Sequence, residues 1–368
     1  MATSSINEEI ADEIRKHFIY LGRLGEFQNR KIAEILDGLI EDMAGKLAIT
    51  GISGRSSLTA TQRTKLNKLF SEAKRLADSK YTEINDQFDD FLSELGTTEA
   101  YWGSKYINDI ARIELMTTTP KAVQRVQAAL SDIMIEGAPM KEWWSRQSTG
   151  MINHFKDQIR IGYLNGETNS QIVGRILEGV DGNGNKIYDL AKGSKRGTEA
   201  IVRSGLLAVS NKALDEVYQD NRSVVKGYTW VATLDDRTTL MCASLDGLSW
   251  TLDGKPIGGH DKEFELPPIH WNCRSVVSPL LKTYRELGID IDEIPESTRA
   301  SMDGQVPSKI GFDNWLKKKE SEQKGFVADM FGVSKANLWK KGLISVKDMT
   351  NRYAQPLTLA ELRKKIGL

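Results

Sequence analysis

Cysteine is nearly absent from this chain, with two residues, Cys242 and Cys273, in 368. Two cysteines in a chain this long do not make a disulfide framework, so a reducing compartment is the default expectation. No apolar run approaches the roughly 18 residues that a membrane span needs, and no membrane contact is expected. The opening residues, MATSSINEEIADEI, lack the basic flank and apolar core of a secretory signal. Net charge is missing as well: Lys+Arg and Asp+Glu stand at 50 each. A dedicated DNA-coating protein would show a basic excess. Internal repeats and low-complexity tracts are also absent. Tryptophan is plentiful at eight, and 40% of the residues are hydrophobic, which argues against global disorder. The length allows two or three domains with a proper core.

Helical periodicity dominates the first two hundred residues. Ile10, Ile14, Phe18 and Leu21, then Ile32, Ile35, Leu39, Met43 and Leu47, fall at helical spacing. They predict one long helix or a helical pair over 5–48, with Gly22 and Gly25 marking a bend. A turn at 50–54 follows. Thr59 and Gln62 form a capping box ahead of a stripe that runs through Leu66, Leu69, Ala73, Ile84, Phe88 and Leu95. The two segments can pair as an antiparallel hairpin. Further helix through Trp102, Tyr106 and Ile110 breaks at Thr117–Pro120, since proline disfavours the α region in the residue before it. Helices are expected over 121–134, Met140–Leu164, Ser170–Leu177 and from Gly193 to Asp220. Asp181-Gly-Asn-Gly-Asn resembles the opening of a calcium loop. It has Lys186 and Lys192 where glycine and a bidentate glutamate are needed, so a tight turn is expected. Beyond Pro279 the chain turns helical again, from Phe312 and from Phe326 onward, with Thr358–Glu361 capping the last helix.

The chemistry gathers between Lys226 and Pro279. An aromatic β-type run, Tyr228–Thr233, leads into Asp235-Asp236-Arg237, and a second run leaves Arg274 for Val277. Asp246-Gly247 and Asp253-Gly254 are hairpin-turn signals. Arg237 is expected to bridge Asp236 or Asp246. Cys242, His270 and Cys273 are zinc-type ligands, with His260, Asp236 or water as the fourth. The same residues also fit two buried thiols beside a histidine bonded to backbone, or a disulfide. A Cys–His nucleophile lacks a clear helix N-terminus after Cys242 to activate it. Asp235, Asp236, Cys242 and His270 can alternatively be assembled into a metal-dependent hydrolase or nuclease site. Lys317–Lys319 and Lys340-Lys341 offer phosphate contacts, although such runs are usually solvated faces.

At these residues the sequence resembles the Mu F-like family of phage minor head (head morphogenesis) proteins. The resemblance rests on Trp230, on Asp235-Asp236-Arg237-Thr238, on Cys242, on Leu245-Asp246-Gly247, and on Pro267-Pro268-Ile269-His270-Trp271-Asn272-Cys273-Arg274. It covers about residues 195–368. Relatives often carry Thr-Cys-x-x-Cys and Cys-Arg-Cys; here Leu240 to Cys242 and Cys273-Arg274-Ser275 stand instead, so a four-cysteine site is not available.

The resemblance implies a structural virion component and not an enzyme. Its implied partners are the portal protein, the major capsid or scaffold protein and packaged DNA. It implies a place inside the head near the portal, reached from the host cytoplasm during assembly, and a role in head assembly or in DNA packaging or ejection. The expected fold is α+β and predominantly helical, with long N-terminal helices, a small antiparallel β unit and short C-terminal helices. The expected divisions are a long-helix region (1–116), a helical connector (117–194), a Mu F-like core (195–290) and a C-terminal helical region (291–368).

Overall fold

The computed structural model describes residues 5–51, 59–288, 298–307 and 310–367. It is a mostly helical α+β fold, as expected. Helix α1 (Ser5–Ala48) and helix α2 (Ala60–Ala111) run for 44 and 52 residues. The capping box opens α2: Gln62 N donates to Thr59 Oγ1 at 3.2 Å and Thr59 N to Gln62 Oε1 at 2.9 Å. Of the turn read at 50–54, residues 52–54 lie outside the described residues. No bend divides α1. A Cβ at Gly25 would lie 2.9 Å from Leu206 Cδ1, so that glycine permits close packing and does not break the helix.

Helix α3 (Pro120–Ala129) places Pro120 at its first position, and Thr119 Oγ1 accepts from Ala122 N at 3.1 Å. The Thr-Pro read as a break is thus also a start, because proline has no N–H to leave unsatisfied there. The helix expected to 134 is shorter. It passes into a 3-10 turn and a hairpin of β1 (Met134–Ile135) and β2 (Ala138–Pro139), turning at Glu136 and Gly137, both with positive φ. Helix α4 (Met140–Leu164) has the expected ends, and α5 (Asn169–Leu177) carries a capping box from Thr168. At 181–185 Asp181 Oδ1 accepts from Asn183 N and Asn185 N, giving the tight turn. Helix α6 (Leu190–Asp220) starts before Gly193, with Asp189 accepting from Lys192 N at 2.8 Å.

Next come β3 (Val225–Val231), α7 (Leu240–Leu245), β4 (Ser249–Thr251), β5 (Pro256–Ile257) and β6 (Val276–Leu281). The hairpin β7 (Thr298–Ser301) and β8 (Gly304–Pro307) precedes α8 (Phe312–Glu322), α9 (Phe326–Phe331), α10 (Val333–Lys340) and α11 (Leu359–Lys365). Among the described residues no helix is long and apolar enough to cross a membrane.

The fold divides into two compact units that are not consecutive in sequence. One holds residues 22–94 and 131–206. Within it Trp144 is buried and meets Phe88 edge-on at 5.8 Å, and Gly205 leaves room for Met140 and Phe88. The other holds 1–21, 95–130 and 207–368. Its core draws Ile6, Ile10 and Ile14 of α1, Val217 and Tyr218 of α6, Trp230 and Trp250 of the sheet, and Trp315 and Leu362 of the C-terminal helices into one cluster.

That second unit contains the four-stranded antiparallel sheet, in the order β5-β4-β3-β6. Strand β6 is longer than the run read to Val277 and includes Pro279 opposite Tyr228. Proline is tolerated because β6 is an edge strand with no further neighbour needing its N–H. The far end of that edge is closed by α1: Asn7 accepts from Leu281 N at 2.7 Å and donates to Leu281 O at 3.4 Å. Gly227 lies where a Cβ would sit 1.9 Å from Trp250 O, so no side chain fits between β3 and β4.

Candidate functional site

Two polar clusters hold the loops of the sheet. The first is the cysteine–histidine corner. Strand β3 ends at Val231 and the chain turns through Asp235, whose carboxylate accepts from Arg237 N at 3.1 Å and Thr238 Oγ1 at 3.0 Å. Thr239 then caps α7, accepting from Cys242 N at 3.4 Å. A helix therefore begins just ahead of Cys242, contrary to the expectation. Six residues are too few for periodicity to reveal. The loop before β6 crosses this helix start. It contains a cis bond between Pro267 and Pro268 and a positive φ at Asn272, and it delivers His270 and Cys273.

The structure brings Cys242, His270 and Cys273 together, with their ligand atoms all within 4.8 Å of one another. Cys242 Sγ lies 3.7 Å from Cys273 Sγ and 3.1 Å from His270 Nε2. Both thiols are buried and the imidazole is half-buried. His270 Nδ1 is 2.9 Å from Trp271 O. A carbonyl only accepts, so Nδ1 carries a proton, and in the neutral ring the lone pair is then on Nε2. Thr239 Oγ1 lies 3.0 Å from that same Nε2. The Cys273 thiol is held well below the usual thiol range, first by a hydrogen bond from Cys242 and then, against burial, by His270. The bond to Cys273, with burial, pushes Cys242 up.

The other candidates stand apart from this corner. His260 spends both ring nitrogens on backbone, at 2.8 Å from Ser249 O and 3.2 Å from Lys262 N, so it is not a fourth ligand. Asp236 is exposed and is not among the three residues whose ligand atoms gather at this corner. Asp235 is occupied by Arg274, whose Nη2 donates to it at 2.8 Å. Burial acts to raise the Asp235 carboxyl, but the Arg274 bonds outweigh it and hold the group below its ordinary value.

The second cluster surrounds Asp246. Gly247 does take the positive φ of a turn, and Trp230 is buried in β3. Asp246, however, is no solvent-facing turn residue. Its carboxylate is buried and accepts from Ala232 N at 2.9 Å, Phe312 N at 3.1 Å and Arg299 Nη2 at 3.0 Å. Arg299, not Arg237, is its partner, and the pair joins β3, β7 and the start of α8. Nothing local in the sequence marks a partner 53 residues away. Arg15 is buried nearby; burial and then Arg299 lower it to about 10, while Asp12 and Asp246 act the other way.

The C-terminal segment is tied to the same loops. Lys262 is buried and donates to Thr350 O at 2.8 Å and Asn351 O at 2.9 Å. Of the lysine runs, Lys319 is buried against Asp303 at 2.8 Å and Lys340 meets Glu320 at 2.6 Å, so part of their charge is answered internally.

Residues 153–278 match the family described as Phage Mu protein F like protein. No curated protein and no solved structure matches the chain. The matched stretch ends inside β6 and includes Trp230, Asp235, Asp236, Arg237, Cys242, Asp246, Gly247, His270, Cys273 and Arg274.

Proposed function

With a region of the Mu F-like phage head morphogenesis family at its centre, this chain, we propose, is a minor head protein. It acts by binding, as a structural part of the virion. The family match over the polar-pinned sheet carries the reading. Its partners are the portal protein and the major capsid or scaffold protein, and its place is inside the head near the portal. It serves head assembly, or the packaging or ejection of DNA. The fold supports a binding role: long helices offer extended surfaces, and the polar clusters of the sheet are committed to holding loops. Balanced charge, with Lys319 and Lys340 paired internally, makes protein partners the leading contacts and packaged DNA a secondary one.

The test is a pull-down of the purified full chain against the portal and capsid proteins of its own phage, together with head assembly in its absence. Stoichiometric portal binding and defective heads are the expected results. Binding to neither protein, with normal heads formed without the chain, overturns the proposal.

A further inference from the structure

We propose that Cys242, Cys273 and His270 bind one zinc ion that clasps the loop ahead of β6 to the start of α7. The inference does not depend on the head role.

Three observations carry it. The first is the spacing of the sulfurs. Zinc holds thiolate sulfur at about 2.3 Å, which puts two tetrahedral sulfur ligands about 3.8 Å apart. The two Sγ atoms are 3.7 Å apart, whereas a disulfide would require about 2.05 Å. The second is the histidine tautomer. Zinc-ligating histidines almost always donate their other ring N–H to a carbonyl or carboxylate, and Nδ1 does so to Trp271 O at 2.9 Å. In the neutral ring this leaves Nε2, which lies 3.1 Å from Cys242 Sγ, as the ligating nitrogen. The third is the way the ligands are held. Cys242 sits in the first turn of α7, fixed through its own N–H to Thr239. Cys273 N donates to His270 O at 3.2 Å, so those two ligands belong to one closed turn.

Two buried thiolates with a dication sum to zero charge, which removes the cost of burying a lone anion. Water is the fourth ligand in this proposal, reaching the corner from the side of His270, the half-buried member of the three. Binding joins two segments about thirty residues apart at the ends of β3 and β6, and its free energy adds to the stability of the fold.

The test uses the full chain purified under reducing conditions. Zinc content, cobalt(II) substitution spectra and thiol reactivity with and without a chelator are read on one sample. The expected results are about one zinc per chain, cobalt bands of tetrahedral thiolate coordination, and thiols that react only after chelation. Chelation should also lower Tm by at least a few degrees. Cys273→Ser and His270→Ala should lose the metal, and His154→Gln, an exposed histidine elsewhere, should retain it. Absence of zinc with no cobalt thiolate bands overturns the proposal. So does formation of a Cys242–Cys273 disulfide in a protein that takes up no zinc when reduced. Both outcomes are read on the wild-type chain, so a variant that fails to fold does not shield the idea.

Discussion

The buried pair of Asp246 and Arg299 is the point where a small chemical change should cost most. Their side chains are 1% and 8% exposed. Replacing Asp246 by alanine strands a guanidinium that now has two contacts to it, at 3.0 and 3.2 Å, and two backbone amides at 2.9 and 3.1 Å. Removing one partner of a buried ion pair costs about 3–5 kcal/mol, and each stranded amide adds roughly 1 kcal/mol where water cannot reach it. A total on the order of 5 kcal/mol consumes much of a stability of about 5–15 kcal/mol. It should lower Tm by roughly 10–20 °C at about 2–4 °C per kcal/mol. The buried Arg15 also loses a favourable charge.

The informative design is a double-mutant cycle of Asp246→Asn and Arg299→Met. Each single change leaves one half of the pair uncompensated. The double change removes both charges while the asparagine carbonyl still accepts an amide. Urea unfolding followed by tryptophan fluorescence suits this core, where Trp230, Trp250 and Trp315 are all buried. The expected coupling is about 2–3 kcal/mol, with the double variant more stable than the sum of the singles implies. Singles that each cost under about 1 kcal/mol, or a cycle additive to within about 0.5 kcal/mol, would refute the view that this pair pins the sheet to α8.

Two further outcomes follow from the same sheet. Arg274 depresses the Asp235 carboxyl below its unfolded value, so its stabilisation is present above about pH 4 and is lost as pH falls through the lower folded value. The stability gap between wild type and Asp235→Asn, measured by urea midpoint, should therefore be constant near neutrality and close in acid; a gap that widens in acid contradicts the sign. Gly227→Ala drives a methyl into Trp250 O and should cost about 1–3 kcal/mol or more, seen as a lowered Tm; an unchanged Tm would show that β3 and β4 can separate at no cost.

Much of this architecture was legible from local signals. The limits of α4, the capping boxes of Thr59 and Thr358, and the turn at Asp181 depend on residues within a few positions of one another, and the structure places them as expected. What was not legible depends on distance or brevity. Helix α7 is too short to show a period. The β1–β2 hairpin has two residues in each strand. Asp246 followed by glycine looks like a surface turn, and its identity as a buried anion is fixed only by Arg299 and the α8 amide arriving from far along the chain. Arg237 was the nearer arginine in sequence and the wrong one in space. The meeting of Cys242, His270 and Cys273 was anticipated by residue type. The helix cap that holds Cys242 and the bond that sets the His270 tautomer were not.

Asn7 holds Leu281, 274 residues later. At a ribosomal pace of roughly 5–20 residues per second, the first helix, which ends at Ala48, is finished roughly 12 to 47 seconds before the strand edge it covers exists. Ile6, Ile10 and Ile14, all buried in the completed core, spend that interval without the sheet and C-terminal residues of their cluster. The unit that contains the sheet draws on both ends of the sequence and can therefore close only near the end of synthesis.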